Sequence, residues 1–401
     1  MRFLCWVLGA FCCLSGAQWT PVVVSAAEYR MAPGLRVRET YDDNLFLKSI
    51  DDFEHRIAGS LEMGARSERA ELTIKGNWDV SEYQRHDELD TVDQIYQVSG
   101  SIAPSPTVEL HVSGAYVDDY TFTSTLEETG LVADRSKRRS ATVKPGMTWV
   151  WDLRDRAELS YTFGQTKYDL ASYPDYEVHG LDLLWSHGLT NERTDMLFQL
   201  GGNRADYETA GEDTQQRTYH VLAGMDHRFT ETLEVRLTTG IRYSESQFPR
   251  VEVFMVTPNF FMPRVKTVKE DKTGWLADGI LRWHDERFSI SAAINRDVIP
   301  SIYGENITRD RVYCSLLYRW SERLHWRIST GYNRSETDGY VTDIKQQTYS
   351  VDTGLGYQLT EHAGLGLGYS YLWTENRINN DSDDRNRIFL ELTTEWPNSL
   401  E

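Results

Sequence analysis

Short polar turns of similar composition recur roughly every 36 to 55 residues along this chain, each joining two alternating segments of strand length. They read Arg66-Ser67-Glu68-Arg69, Trp151-Asp152-Leu153-Arg154-Asp155, Leu189-Thr190-Asn191-Glu192, Phe229-Thr230-Glu231-Thr232, Trp320-Ser321-Glu322-Arg323 and Leu359-Thr360-Glu361-His362. After every second strand comes a longer stretch rich in Asp, Asn, Gly and Thr. Short turns at one end of a sheet and long polar loops at the other are the pattern of a transmembrane β-barrel.

The alternation within the strands supports the same reading. From Ala363 to Trp373 the odd positions are apolar or aromatic, and nearly all the even ones are Gly or Ser. Leu233 to Tyr243 and Leu324 to Tyr332 behave likewise, with Glu234, Arg236, Arg242, His325 and Arg327 on the opposite face. Period-two alternation means that one face meets a nonpolar medium and the other does not. Glu391 and Glu395 in the closing strand cannot sit in a dry core without partners but are at ease in a wet lumen. A β-propeller also repeats at about 40 residues, but its blades hold four short strands rather than two long ones.

The first residues read as an export leader. Arg2 is followed by an apolar run from Phe3 to Leu14, too short to span a bilayer, and Ser25-Ala26-Ala27 offers a cleavage site, giving an expected leader of 1–27 and a single barrel domain of 28–401. Cys5, Cys12 and Cys13 lie in that leader, so only Cys314 remains and neither a disulfide framework nor a cysteine metal site is expected. A formal charge of −19 argues against nucleic acid.

Counting from Tyr29 to Trp396 predicts about eighteen antiparallel strands, with sixteen as the alternative, and no plug domain. Such a barrel is wide enough for an aqueous channel. An even count puts both ends of the barrel beside the short turns, the periplasmic side, and the long loops outside. Two aromatic girdles are expected. Trp149, Trp151, Trp185, Trp283, Trp320, Trp326 and Trp396 mark one; Tyr41, Tyr83, Tyr120, Tyr168, Tyr207, Tyr243 and Trp373 mark the other. The closing strand ends at Trp396, an aromatic that suits recognition by the outer-membrane assembly machinery, and Pro397 to Glu401 follow it.

The opening strand and loop, Pro33-Gly34-Leu35-Arg36-Val37-Arg38-Glu39-Thr40-Tyr41-Asp42-Asp43-Asn44-Leu45-Phe46-Leu47, resemble the opening of the β-barrel porin 2 family. The resemblance implies an outer-membrane, porin-like protein associated with export of a surface polysaccharide, and it brings no catalytic residues.

The expected function is passive passage of solutes; the alternative is a non-conducting structural or adhesion barrel that binds surface matrix through its loops. Expected partners are outer-membrane lipid and lipopolysaccharide, and a polysaccharide or an export complex. No catalytic residue, cofactor or metal ligand is assigned, since no histidine stands near a Ser or Asp in a hydrolase pattern; His86 and Asp87 come nearest. Candidate rim residues are Asp42, Asp43, Asn44, Asp381, Asp383 and Asp384, where a negative mouth would enrich cations. Candidate lumen residues are Arg36, Arg38, Glu71, Lys75, Arg236, Arg242, Arg327, Glu391 and Glu395, of both signs and expected to pair across strands. The long segment from Phe248 to Lys272 carries Phe254, Met255, Phe260, Phe261 and Met262, punctuated by prolines. It extends the wall as a hairpin, folds inward as a constriction, or meets a partner or lipopolysaccharide.

Overall fold

The computed structural model describes residues 28–132, 134–208, 214–257, 260–337, 343–396 and 398–400. The expected leader, 1–27, lies outside them. Eighteen long strands run in order: β1 (Glu28–Asp42), β2 (Asp52–Arg66), β3 (Ala70–Tyr83), β4 (Thr91–Ser105), β5 (Val108–Tyr120) and β6 (Lys137–Val150). They continue as β7 (Asp155–Tyr168), β8 (Asp175–Gly188), β9 (Thr194–Glu208), β10 (Thr214–Arg228), β11 (Leu233–Thr257) and β12 (Phe260–His284). The last are β13 (Phe288–Pro300), β14 (Asn306–Arg319), β15 (Leu324–Thr337), β16 (Lys345–Gln358), β17 (Ala363–Asn376) and β18 (Asp381–Glu395), with a short β19 (Asn398–Leu400) behind them.

Each strand pairs antiparallel with the next, and β1 also pairs with β18, from Gly34↔Glu395 to Asp42↔Arg387, which closes the sheet into a barrel. Asn398–Leu400 carry the seam on, since β19 pairs with β1 from Tyr29↔Leu400 to Met31↔Asn398.

The alternation of the sequence becomes an inside and an outside. On β17 and β18 the outward row holds Leu367 and Leu390, 54% and 51% exposed, and the inward row holds Gly366, Gly368 and Glu391. Leu72, Ile74, Leu181, Leu183, Ile241 and many others stand equally bare on the outer surface. Apolar surface on this scale is costly against water and stable against hydrocarbon, so the barrel spans a membrane. No helix among the described residues is long and apolar enough to cross one.

Small inward residues leave room for larger neighbours. A Cβ on Gly368 would meet the Phe389 ring at 2.1 Å; without it the ring lies against the wall, and the Arg38 guanidinium stacks on it at 4.4 Å.

Two irregularities shape the extracellular end. The 25-residue strands β11 and β12 pair as far as Thr257↔Phe260, with a register shift between Met255 and Thr257, so residues 248–257 and 260–272 continue the hairpin backbone. The side chains of Phe254, Met255, Phe260, Phe261 and Met262 lie outside the described residues. In addition, β12 pairs with β13 only from Ala277↔Arg296 to His284↔Ser289. Above that rung the start of β14 reaches the β9–β11 wall: Tyr207 donates to Asn306 at 2.9 Å, the Asn306 N–H to Gln216 at 2.6 Å, and Arg242 to Thr308 at 2.9 Å.

The second aromatic girdle is thinner than expected. Tyr41 and Tyr243 face outward, whereas Tyr83, Tyr168 and Tyr207 face the lumen. Their parity explains it, because each is an odd number of residues from the outward rows of Trp78, Tyr161 and Leu200. Tyr207 is fully buried beside Tyr176, and Tyr168 packs edge-on against Tyr173.

Candidate functional site

The loop between β5 and β6 forms a helix, α1 (Thr121–Thr129), that enters the lumen. Its sequence, Thr-Phe-Thr-Ser-Thr-Leu-Glu-Glu-Thr, is a weak helix former, and nine residues alone are marginal in water. Surrounding contacts hold it. At its start the Thr121 hydroxyl donates to the Asp134 carbonyl at 2.6 Å and accepts from the Ser136 N–H at 2.9 Å. Phe122 is buried edge-on against Phe46 at 5.0 Å, which brings the β1–β2 loop inward beside it. At its end Gly130 takes φ 73°, the left-handed conformation that terminates helices, and its N–H returns to the Leu126 carbonyl at 2.9 Å.

The far end of α1 is anchored to the opposite wall. Thr348 on β16 donates to the Gly130 carbonyl at 2.9 Å, and the Val132 N–H donates to Gln346 at 3.1 Å. Ser335 on β15 donates to the Thr129 carbonyl, and Arg309 on β14 to that of Glu128. Strands β14 to β16 lie about half a turn round the barrel from β5. The helix therefore spans the lumen near its extracellular end. Arg138 on β6 binds Glu128 at 2.7 Å and Asp119 at 2.9 Å from the near side.

Two further loops narrow the same end. Tyr173, between β7 and β8, receives the Asp134 N–H at 2.8 Å and packs on Tyr303 and Ile302, between β13 and β14. Burial lifts the Tyr303 hydroxyl to a pKa of about 12.

The open side of α1 presents Glu127 toward Arg387, Arg56 and Asp352. Glu127 is water-accessible yet enclosed by the wall, and that burial raises its carboxyl above the ordinary carboxylate range against the pull of the two arginines. The wall below is a ladder of cross-strand pairs: Arg38–Glu391 at 2.8 Å, Arg56–Asp79 at 2.7 Å, Lys75–Glu62 at 2.7 Å and Arg236–Asp226 at 2.7 Å. Arg36 lies 3.5 Å from Glu391. Arg242 is buried under Thr308 and bonds Ser244 at 2.8 Å. Glu71, Arg327 and Glu395 share the inward face at lower levels.

The rim residues divide. Asp381, Asp383 and Asp384 are exposed at the mouth. Asp42 faces inward, almost wholly buried, and is bound by Arg385 at 2.7 Å. Asp43 accepts from Asn386 at 2.6 and 2.8 Å, and Asn44 donates to the Asp384 carbonyl at 2.6 Å. The Tyr-Asp-Asp-Asn segment thus fastens β1 to β18 where the barrel closes. His86 is likewise structural, its Nδ1 sitting 2.8 Å from buried Asp52. Among the described residues no group of three or more His, Cys, Asp or Glu side chains is placed to hold a metal ion.

No family model and no curated protein matches the chain. Among solved structures it is similar to the copper transporter OprC, at 11% identity over 88% of this chain with a TM-score of 0.48. The Acinetobacter baumannii protein OccAB3 gives 10% identity over 93% of this chain and 99% of that one, with a TM-score of 0.43. The Pseudomonas aeruginosa outer membrane protein opdK gives 10% identity over 92% of this chain and 99% of that one, with a TM-score of 0.44. This chain spans 64% of the length of OprC.

Proposed function

We propose that this protein is an outer-membrane pore for small hydrophilic solutes, with α1 setting the size limit and the charge preference. The observation that carries the reading is that α1 crosses a polar, charge-lined lumen and is tied to both walls. A closed antiparallel barrel with an apolar outside and a wet, ionised inside is the architecture of the bacterial outer membrane. Solutes pass between the Glu127 side of α1 and the arginine-bearing wall of β18, β1 and β2. Because many of the lumen charges pair across neighbouring strands at a water-facing wall, they stabilise the barrel little and chiefly keep the passage wet.

The polysaccharide association implied by the family resemblance belongs to this reading only if α1 leaves the lumen, since a hydrated polymer needs a wider path. Single-channel recording in planar bilayers tests the pore. Discrete conductance steps are expected, and removal of residues 121–132 with a short Gly-Ser replacement should enlarge them. A heat-modifiable, membrane-inserted barrel with no conductance would leave the structural or adhesion reading instead.

A further inference from the structure

We propose that the outer wall over β7–β10 binds a lipopolysaccharide molecule of the outer leaflet, with its lipid phosphate on a basic rung and an acyl chain in the groove beneath. This rests on the outer-membrane reading above.

The groove has a volume of about 650 Å³ and opens on the lipid-facing surface. It exists because Gly202 stands in register between Leu181 on β8 and Tyr219 on β10, so the outer face dips where a side chain would project. Leu159, Leu183 and Leu200 continue its apolar floor toward the membrane centre. Tyr161 and Tyr219, 40% and 50% exposed, mark the aromatic level at which hydrocarbon gives way to headgroups.

One rung above, toward the extracellular loops, three basic side chains stand side by side: His179 opposite Arg204, and Arg204 opposite Arg217. Like charges directly opposite each other destabilise a sheet, so such a rung asks for an anion. The neighbouring acids answer only part of that demand. Asp206 pairs with Arg204 at 2.8 Å and also accepts from Gln215, and Glu177 accepts from Gln165 at 2.7 Å. Glu245, opposite Arg217 on β11, accepts a long bond from Tyr243 at 3.4 Å. His179 shares its Nδ1 with the Tyr161 hydroxyl at 2.7 Å. Among the described residues no carboxylate lies within ion-pair distance of Arg217. A phosphate suits the Arg204–Arg217 pair, since guanidinium groups bind it bidentately and with strength at a low-dielectric boundary. The order of features, basic rung above aromatics above aliphatic groove, matches the order of phosphate, sugar and acyl chain in a phosphorylated glycolipid.

The test uses the full chain, first inserted into phosphatidylcholine vesicles to establish heat-modifiable barrel formation, then extracted and titrated with lipid A in mixed micelles, bound lipid being counted by native mass spectrometry. Wild type should retain lipid A, and R204Q/R217Q should weaken retention at least tenfold while inserting normally. Gly202→Leu, which fills the groove and leaves the charges in place, should weaken it as well. Equal retention by wild type and both inserted variants would overturn the site and leave the barrel reading intact, whereas failure of wild type to insert would overturn the barrel reading itself. Equal retention of phosphatidylglycerol would overturn the assignment to lipopolysaccharide.

Discussion

Thr348 on β16 donates its hydroxyl to the carbonyl of Gly130 at 2.9 Å across a separation of 218 residues. With Ser335 it forms the latch that holds the end of α1 against the far wall. A hydrogen bond of this kind contributes about 1 kcal/mol, so losing these two of the four far-wall bonds loosens a short helix but is too little to decide the stability of the barrel. The double variant T348V/S335A should therefore raise single-channel conductance and add gating noise, with unchanged heat-modifiability on a denaturing gel. Conductance equal to wild type would show that these two bonds do not set the position of α1.

Gly130 both ends the helix and supplies the carbonyl that the latch holds. Its φ of 73° disfavours any side chain, and a Cβ there would come within 2.6 Å of the Asn333 Cβ. Gly130→Ala should cost about 1–2 kcal/mol locally. Limited proteolysis should then cut within residues 121–136 while the strands stay protected. Adding Asn333→Gly removes the clash but not the backbone strain, so it should restore protection only in part.

The charge state of Glu127 sets a pH dependence. Because burial raises its carboxyl above the ordinary value of 4.5, the folded protein holds this proton more tightly than the unfolded chain does. Its contribution to the seating of α1 is full below that value and is lost as pH rises through the folded one. Over the same window a negative charge appears at the constriction. The cation-to-anion permeability ratio, read from reversal potentials, should climb through this interval in wild type, and Glu127→Gln should flatten the component that the rim acids do not account for.

The rim makes a separate contribution. Asp381, Asp383 and Asp384 stand exposed at the mouth of a chain with formal charge −19, and a negative mouth enriches cations. D381N/D383N/D384N should reduce a weak cation preference at low ionic strength without unfolding the barrel. Near 1 M salt, where the Debye length is about 3 Å, wild type and variant should converge. Anion selectivity in wild type would contradict this account.

Strand number, closure and the two faces were legible because each rests on a local period of two: Leu365, Leu367 and Tyr369 outward, Gly366, Gly368 and Ser370 inward. The same parity places Tyr83, Tyr168 and Tyr207 in the lumen, and an expectation based only on nearness to a loop missed it. Asp42 reads as a surface acid because its partner, Arg385, lies 343 residues away. The helix left the faintest trace. Thr121, Thr123, Thr125 and Thr129 obscure any helical period, and the contacts that hold it come from β14 to β16. Gly130, following Leu126-Glu127-Glu128-Thr129, was its one local sign.

The seam between β1 and β18 also imposes an order in time. Arg38 meets Glu391 across 353 positions, and until that contact forms β1 offers a bare edge. Closure of so long a chain segment is slow, and an open edge is a template for pairing with any other strand. The unfinished sheet is thus the most vulnerable state in the life of this molecule. The first strand made must be kept from wrong neighbours until the last one arrives.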